Sequence, residues 1–191
     1  MNAYDFDKTI YDGDSTADFY LFSLKRHKKI LLLAPSLLAA VLRFYVLKRG
    51  SKTDFKQVMY RFLRYCDVKK DIPDFWRTHK QKMKRFYLAQ KKKDDVIISA
   101  SPEFLLQPIC RELGISNLIA SRVNEKSGKY DGVNCHGEEK VRRFSERFGR
   151  VRIDAFYSDS HSDTPMAKIA EKAYLVKGEE INNWDFTKGK R

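Results

Sequence analysis

At 191 residues and 42% hydrophobic content, the chain is long enough to bury one good-sized core, which excludes a disordered polypeptide. Its three cysteines, Cys66, Cys110 and Cys135, form no CxxC pair, which argues against a disulfide framework or zinc site and for reduced, cytoplasmic thiols. The net charge of +13 is unevenly placed: residues 13–93 hold 21 Lys and Arg against 6 Asp and Glu, and the remainder holds 17 against 19. A positive field concentrated in one segment attracts anionic substrates, acidic lipid surfaces or nucleic acid; its plainer reading is a solvated helical surface.

Two textures alternate along the chain. Residues 1–12 and about 94–178 read as strands alternating with helices, and residues 13–93 as helices only. Ala3-Tyr4 forms a short apolar run that leads into Asp5. Apolar residues at helical spacing follow, such as Phe55, Val58, Met59, Phe62 and Leu63. Ile30 to Leu42 is apolar except for Pro35 and Ser36, and basic residues flank it on both sides. It is too short to span a bilayer. It reads first as the core helix of a small bundle and second as an amphiphilic element at a membrane interface. Further strand runs are Val96-Ile97-Ile98 before Ser99, Leu118-Ile119-Ala120, Ala155-Phe156-Tyr157 before Ser158-Asp159, and Tyr174-Leu175-Val176. Helical patterns cover 103–113, 138–148 and 164–172, and Arg122 to Val133 reads as a hairpin excursion. This alternation predicts an α/β fold, a parallel sheet with helices on both faces. The helical segment 13–93 is inserted into it.

Ligands of such sheets bind at the carboxyl ends of the strands, which is where Asp5, Ser99 and Asp159 fall. Asp5 and Asp7 point to one site only if the chain turns between them. A carboxylate can then attack phosphorus while its neighbour acts as general acid and base, provided positive groups neutralise the phosphoryl charge. Magnesium suits such an all-oxygen set, with Asp5 and Asp159 as ligands and Asp163 behind them. Lys140 can neutralise the transferring group and Ser99 can donate a hydrogen bond to it. Taken singly, each has a plain alternative: loop carboxylates, a helix cap, a solvated lysine, a turn.

Asp5-Phe6-Asp7-Lys8-Thr9 resembles the DxDxT signature of the haloacid dehalogenase (HAD) superfamily phosphatases. Ile97-Ile98-Ser99, Lys140 and Ser158-Asp159-Ser160-His161-Ser162-Asp163 resemble that family's second, third and fourth motifs, in order. The resemblance implies a HAD-like core over 1–12 and 94–191, with a helical cap over 13–93 like that of the phosphoserine phosphatase branch. It implies an aspartyl-phosphate on Asp5, with Asp7 protonating the leaving oxygen. It also implies Mg2+ held by Asp5, the carbonyl of Asp7, and Asp159, supported by Asp163. Thr9 would orient the Asp7 loop and fall within the substrate-binding set. Ser158 departs from the usual glycine of the fourth motif. Asp14 stands where phosphoserine phosphatase has a Glu, and either projects an acidic group toward substrate or caps the next helix. Arg61 is a further candidate for substrate binding. Asn117 to Ser121, Glu138 to Val141 and Tyr157 to Ser160 resemble HAD-type phosphatidylglycerophosphate phosphatases.

The expected substrate is therefore a phosphorylated small molecule or a phospholipid, with peripheral contact to an acidic membrane surface as a second expectation. A soluble metabolite, or a non-enzymatic role binding anions, are the alternatives. No nucleic-acid-binding signature accompanies the basic segment, and the interleaved Tyr60, Arg61, Phe62, Arg64 and Tyr65 fit helical packing better than a stacking platform.

Overall fold

The computed structural model describes residues 1–50 and 52–187. Six strands form one sheet: β1 (Asn2–Tyr4), β2 (Val96–Pro102), β3 (Asn117–Ser121), β4 (Ile153–Ser158), β5 (Ala170–Lys177) and β6 (Glu180–Asn183), in the order β3-β2-β1-β4-β5-β6. Every pairing is parallel except β5 with β6, an antiparallel edge. Strand β1 is central, and the chain runs outward from it to β2 and β3, then returns to β4 on its other side. That reversal creates a crevice at the carboxyl ends of β1 and β4.

The two-residue period of the strands sorts the core into two layers. Tyr4, Ile97, Leu118 and Tyr157 face a large cluster with Phe19, Phe75, Trp76 and Leu105. Ala3, Val96, Ile98, Ile119 and Phe156 face a smaller one with Phe144, Met166 and Trp184. The first cluster joins the sheet to the helical segment through α1 (Ser15–Arg26), α4 (Val68–His79) and α6 (Glu103–Glu112); the second is closed by α7 (Glu138–Phe148) and α8 (Thr164–Ile169). Helices thus cover both faces.

Between β1 and β2 lie α1, α2 (Ala34–Val41), α3 (Lys52–Met59), α4 and α5 (Arg85–Gln90), joined by shorter helical turns. The buried Asp71 carboxylate ties α1 to α4. It accepts from the Asp67 amide at 3.0 Å, pairs with Arg26 at 3.2 Å and meets His27 Nε2 at 2.7 Å.

Three local expectations change. The helix placed over 164–172 ends at Ile169, because residues from Ala170 on pair with β4 and extend the sheet. Strand β6 has no apolar run to announce it; all four of its residues are exposed. The stretch Ile30 to Leu42 is not the core of a bundle, since Ile30 alone among these residues is buried. The 122–133 excursion does fold back on itself, through an antiparallel bridge between Val123 and Tyr130.

Candidate active site

Asp5 follows directly on β1, and its amide still donates to the Tyr157 carbonyl of β4 at 2.9 Å, so the sheet fixes its position. The chain then turns. Lys8 takes a left-handed backbone (φ 58°), its amide donates to the Gly13 carbonyl at 2.8 Å, and the amides of Ile10 and Tyr11 both return to the Phe6 carbonyl. Such a conformation at a non-glycine residue is costly and persists only where its surroundings impose it. Here the buried Lys84 ammonium donates to the Lys8 carbonyl, and the Lys84 amide donates to that of Ile10.

The turn brings Asp7 alongside hydroxyl groups. Its Oδ1 accepts from the Ser15 amide at 2.6 Å and its Oδ2 from the Ser101 hydroxyl, which also meets Thr16 Oγ1 at 3.0 Å. Ser15, Thr16 and Ser101 are buried. The sequence assigns none of the three a role of its own, and the pairing of β2 is irregular between Ser99 and Pro102, so the two-residue period does not announce Ser101.

Lys140, in the first turn of α7, is 2% exposed, and its ammonium joins Asp5 Oδ1 at 2.6 Å to Asp163 Oδ2 at 2.7 Å. Burial alone lowers the affinity of this lysine for its proton, but the two carboxylates more than offset it, so its pKa lies above the ordinary value. Thr9, fully buried, spans two strand ends: its hydroxyl donates to Asp5 Oδ2 at 3.3 Å and accepts from the Asp159 amide at 2.9 Å. That hydroxyl is occupied with positioning. Ser158 uses its side chain where the family motif has none, donating to Asp163 Oδ2 at 2.8 Å. The substitution therefore adds a fixing contact to Asp163.

Ser99 is buried, and its hydroxyl accepts from the Ser101 amide at 3.1 Å. Asp14 caps α1, its carboxylate accepting from the Ala17 amide at 3.0 Å. Arg61 is elsewhere. It lines a groove with Ser36, Phe44 and Phe55 that none of the four site aspartates lines.

Three carboxylates, Asp5, Asp159 and Asp163, thus lie around one buried ammonium, and Asp7 adds its charge beside Asp5. Burial pushes Asp5, Asp7 and Asp159 above the ordinary carboxylate range; Lys140 partly opposes this at Asp5, while Asp14 adds to it at Asp7. A surplus of all-oxygen acceptors, buried at Asp5 and Asp163 and half-buried at Asp7 and Asp159, suits a hard divalent cation such as Mg2+.

A mainly parallel α/β sheet with a paired-aspartate loop at its switch point has the form of a hydrolase site that works with carboxylates. The model of the haloacid dehalogenase-like hydrolase family matches residues 3–168, and the chain belongs to that family. Protein CicA of Caulobacter vibrioides is 42% identical over 88 residues, covering 42% of this chain and 40% of that protein. A Mycobacterium tuberculosis protein named as a probable phosphatase is 35% identical over 91 residues, covering 44% and 32%. The matches therefore span well under half of these relatives' lengths. The crystal structure of a Bordetella pertussis Tohama I protein of unknown function shares the fold, with a TM-score of 0.70, 20% identity, and coverage of 91% of this chain and 87% of that one.

Proposed function

We propose that the chain is a Mg2+-dependent phosphomonoester phosphatase working through an aspartyl-phosphate on Asp5. The observation that carries this reading is the Asp5–Lys140–Asp163 bridge, with Asp7 held two residues away by a separate set of hydroxyls. It supports a nucleophile and an acid–base group with different surroundings, as two-step phosphoryl transfer requires. The name of the Mycobacterium tuberculosis relative agrees with it.

In this reading a carboxylate oxygen of Asp5 attacks phosphorus and the ester oxygen departs with the proton that Asp7 carries. Asp7 then takes a proton from water, which attacks the same phosphorus and releases inorganic phosphate and free Asp5. Asp5, the Asp7 carbonyl and Asp159 would hold Mg2+, which supplies charge neutralisation for the phosphoryl oxygens. Lys140 keeps Asp5 oriented and adds a fixed positive charge. Asp163, locked by Lys140 and Ser158, supports the metal side of the site. The helices of 13–93 serve as a cap that narrows access and excludes water. The substrate is an anionic phosphate ester, small and soluble or lipid-linked, and the protein is cytoplasmic.

The test is hydrolysis of an aryl phosphate with Mg2+ and with chelator. Asp5→Asn is expected to lower kcat by roughly a thousandfold or more while the far-UV spectrum stays unchanged. An Asp5→Asn protein that turns over at the parent rate would overturn the mechanism.

A further inference from the structure

Residues Lys28 to Val46 form a helical stretch of 19 residues that lies on the outside of the molecule. Leu31, Leu32, Leu38, Leu42, Tyr45 and Val46 are all at least half exposed, up to 72% for Leu32. A surface helix ordinarily turns polar residues outward. This one is apolar on both sides. Leu33, Leu37, Ala40 and Phe44, spaced four, three and four apart, are half-buried against the protein; Leu38, Leu42 and Tyr45 form a second apolar row that faces solvent. Phe44 fixes the orientation by stacking on Phe55 of α3, ring centres 5.5 Å apart.

The charge around this patch has one sign. From residue 19 to residue 53 the chain contains no Asp or Glu, against eight Lys and Arg. Arg26 is committed to Asp71 and Asp74. Lys25, Lys28 and Lys29 at one end, and Arg43, Lys48 and Arg49 at the other, are exposed at the borders of the apolar row. A patch of leucines rimmed by cations matches an acidic bilayer surface: the side chains enter the interface while the cations meet lipid phosphates and carboxylates.

We propose that the solvent-facing row of Lys28–Val46 docks the protein on acidic phospholipid membranes, with the helix lying in the plane of the interface. Crossing the bilayer would surround the helix with lipid and pull Leu33, Leu37 and Phe44 off the fold, so the packed inner row favours lying flat. The docking is independent of the phosphatase reading, because no site residue takes part.

Flotation of the full chain with vesicles tests it, comparing phosphatidylcholine alone with phosphatidylcholine containing about 30% phosphatidylserine at low salt. The protein is expected to float with the acidic vesicles only, and to be released by raised salt. L38E/L42E should abolish flotation while thermal melting and aryl phosphate hydrolysis stay at parent values. K28Q/K29Q should weaken partitioning about 25-fold, near fivefold per charge. Asp5→Asn should float like the parent, which separates failure of docking from failure of catalysis. No flotation at low salt, equal flotation of L38E/L42E, or retention through alkaline carbonate and roughly 1 M salt, the behaviour of a spanning segment, would each overturn the proposal. So would sedimentation of the vesicle-free protein as a dimer that L38E/L42E converts to monomer, since a second copy would then cover the row.

Discussion

Asp5 and Asp7 stand two residues apart, yet each meets a different partner. Asp5 faces an ammonium and Asp7 faces hydroxyls and an amide. Burial holds both of them, and Asp159, protonated to higher pH than a free carboxyl. For an acid of raised folded pKa, the folded state binds more protons than the unfolded state between the ordinary value and the raised one. Stability then falls as pH rises through that interval. The metal-free protein is therefore expected to melt at lower temperature as pH is raised from about 5 to about 7.5, and saturating Mg2+ should remove most of that slope by stabilising the ionised forms. Thermal melts at several pH values, with chelator and with Mg2+, check this. A slope that is the same in both would mean that the cation does not bind these carboxylates. At this scale the sequence was informative for side chains that carry charge. Asp5, Lys140 and Asp163 stood out because their chemistry is unusual in a set. Ser101, Ser15 and Lys84 did not, because serines and lysines are common and their role arises only when β2, α1 and the approach to α5 converge on the Asp7 loop.

Strands and helices were legible where their periodicity was driven by burial, as in β1, β2, β3, β4 and α7. They were lost where tertiary pairing overrode local preference. Ala170, Glu171 and Lys172 favour helix by propensity but lie in β5, with Ala170 and Lys172 paired to Ile153 and Ala155 of β4. Ile30 to Leu42 misled for the opposite reason: its hydrophobicity is real, but the fold leaves it outside. The loop before α7 supplies another contact that no pattern announces. Gly128 has φ 72°, and a Cβ there would run into the Tyr60 carbonyl in the helical turn just past α3; Tyr60 and Tyr130 also meet with ring centres 5.8 Å apart. This joins the loop after β3 to the helical segment. Gly128→Ala is expected to cost about 2–4 kcal/mol, from the left-handed backbone and from overpacking against an immovable carbonyl. Urea denaturation measures it, and a loss under about 0.5 kcal/mol, the usual size of a surface change, would mean that the loop moves away freely.

Across the whole molecule the charge is polarised, with the excess of cations lying entirely in residues 13–93 and a small excess of acids in the rest. The acidic site and the basic helical segment are joined through the Lys84 ammonium, on the Lys8 carbonyl, and through the Lys82 carbonyl, which accepts from the Asp12 amide at 2.8 Å. On the proposed phosphatase reading, a phosphate ester would approach these carboxylates under the field of the positive segment beside them. Without that field the site's own aspartates would repel a dianion; with it the approach is attractive at distances up to the Debye length, about 10 Å in 0.1 M salt. Salt should accordingly act on capture of the substrate and leave the chemical step alone. For a small soluble phosphate dianion at fixed Mg2+, kcat/KM is expected to fall several-fold between about 20 and 200 mM salt, with kcat nearly constant. Steady-state kinetics across that range decides it. A kcat that falls in parallel with kcat/KM would place the salt effect on the Asp5–Lys140–Asp163 bridge itself, and the basic segment would then have no part in drawing the substrate in.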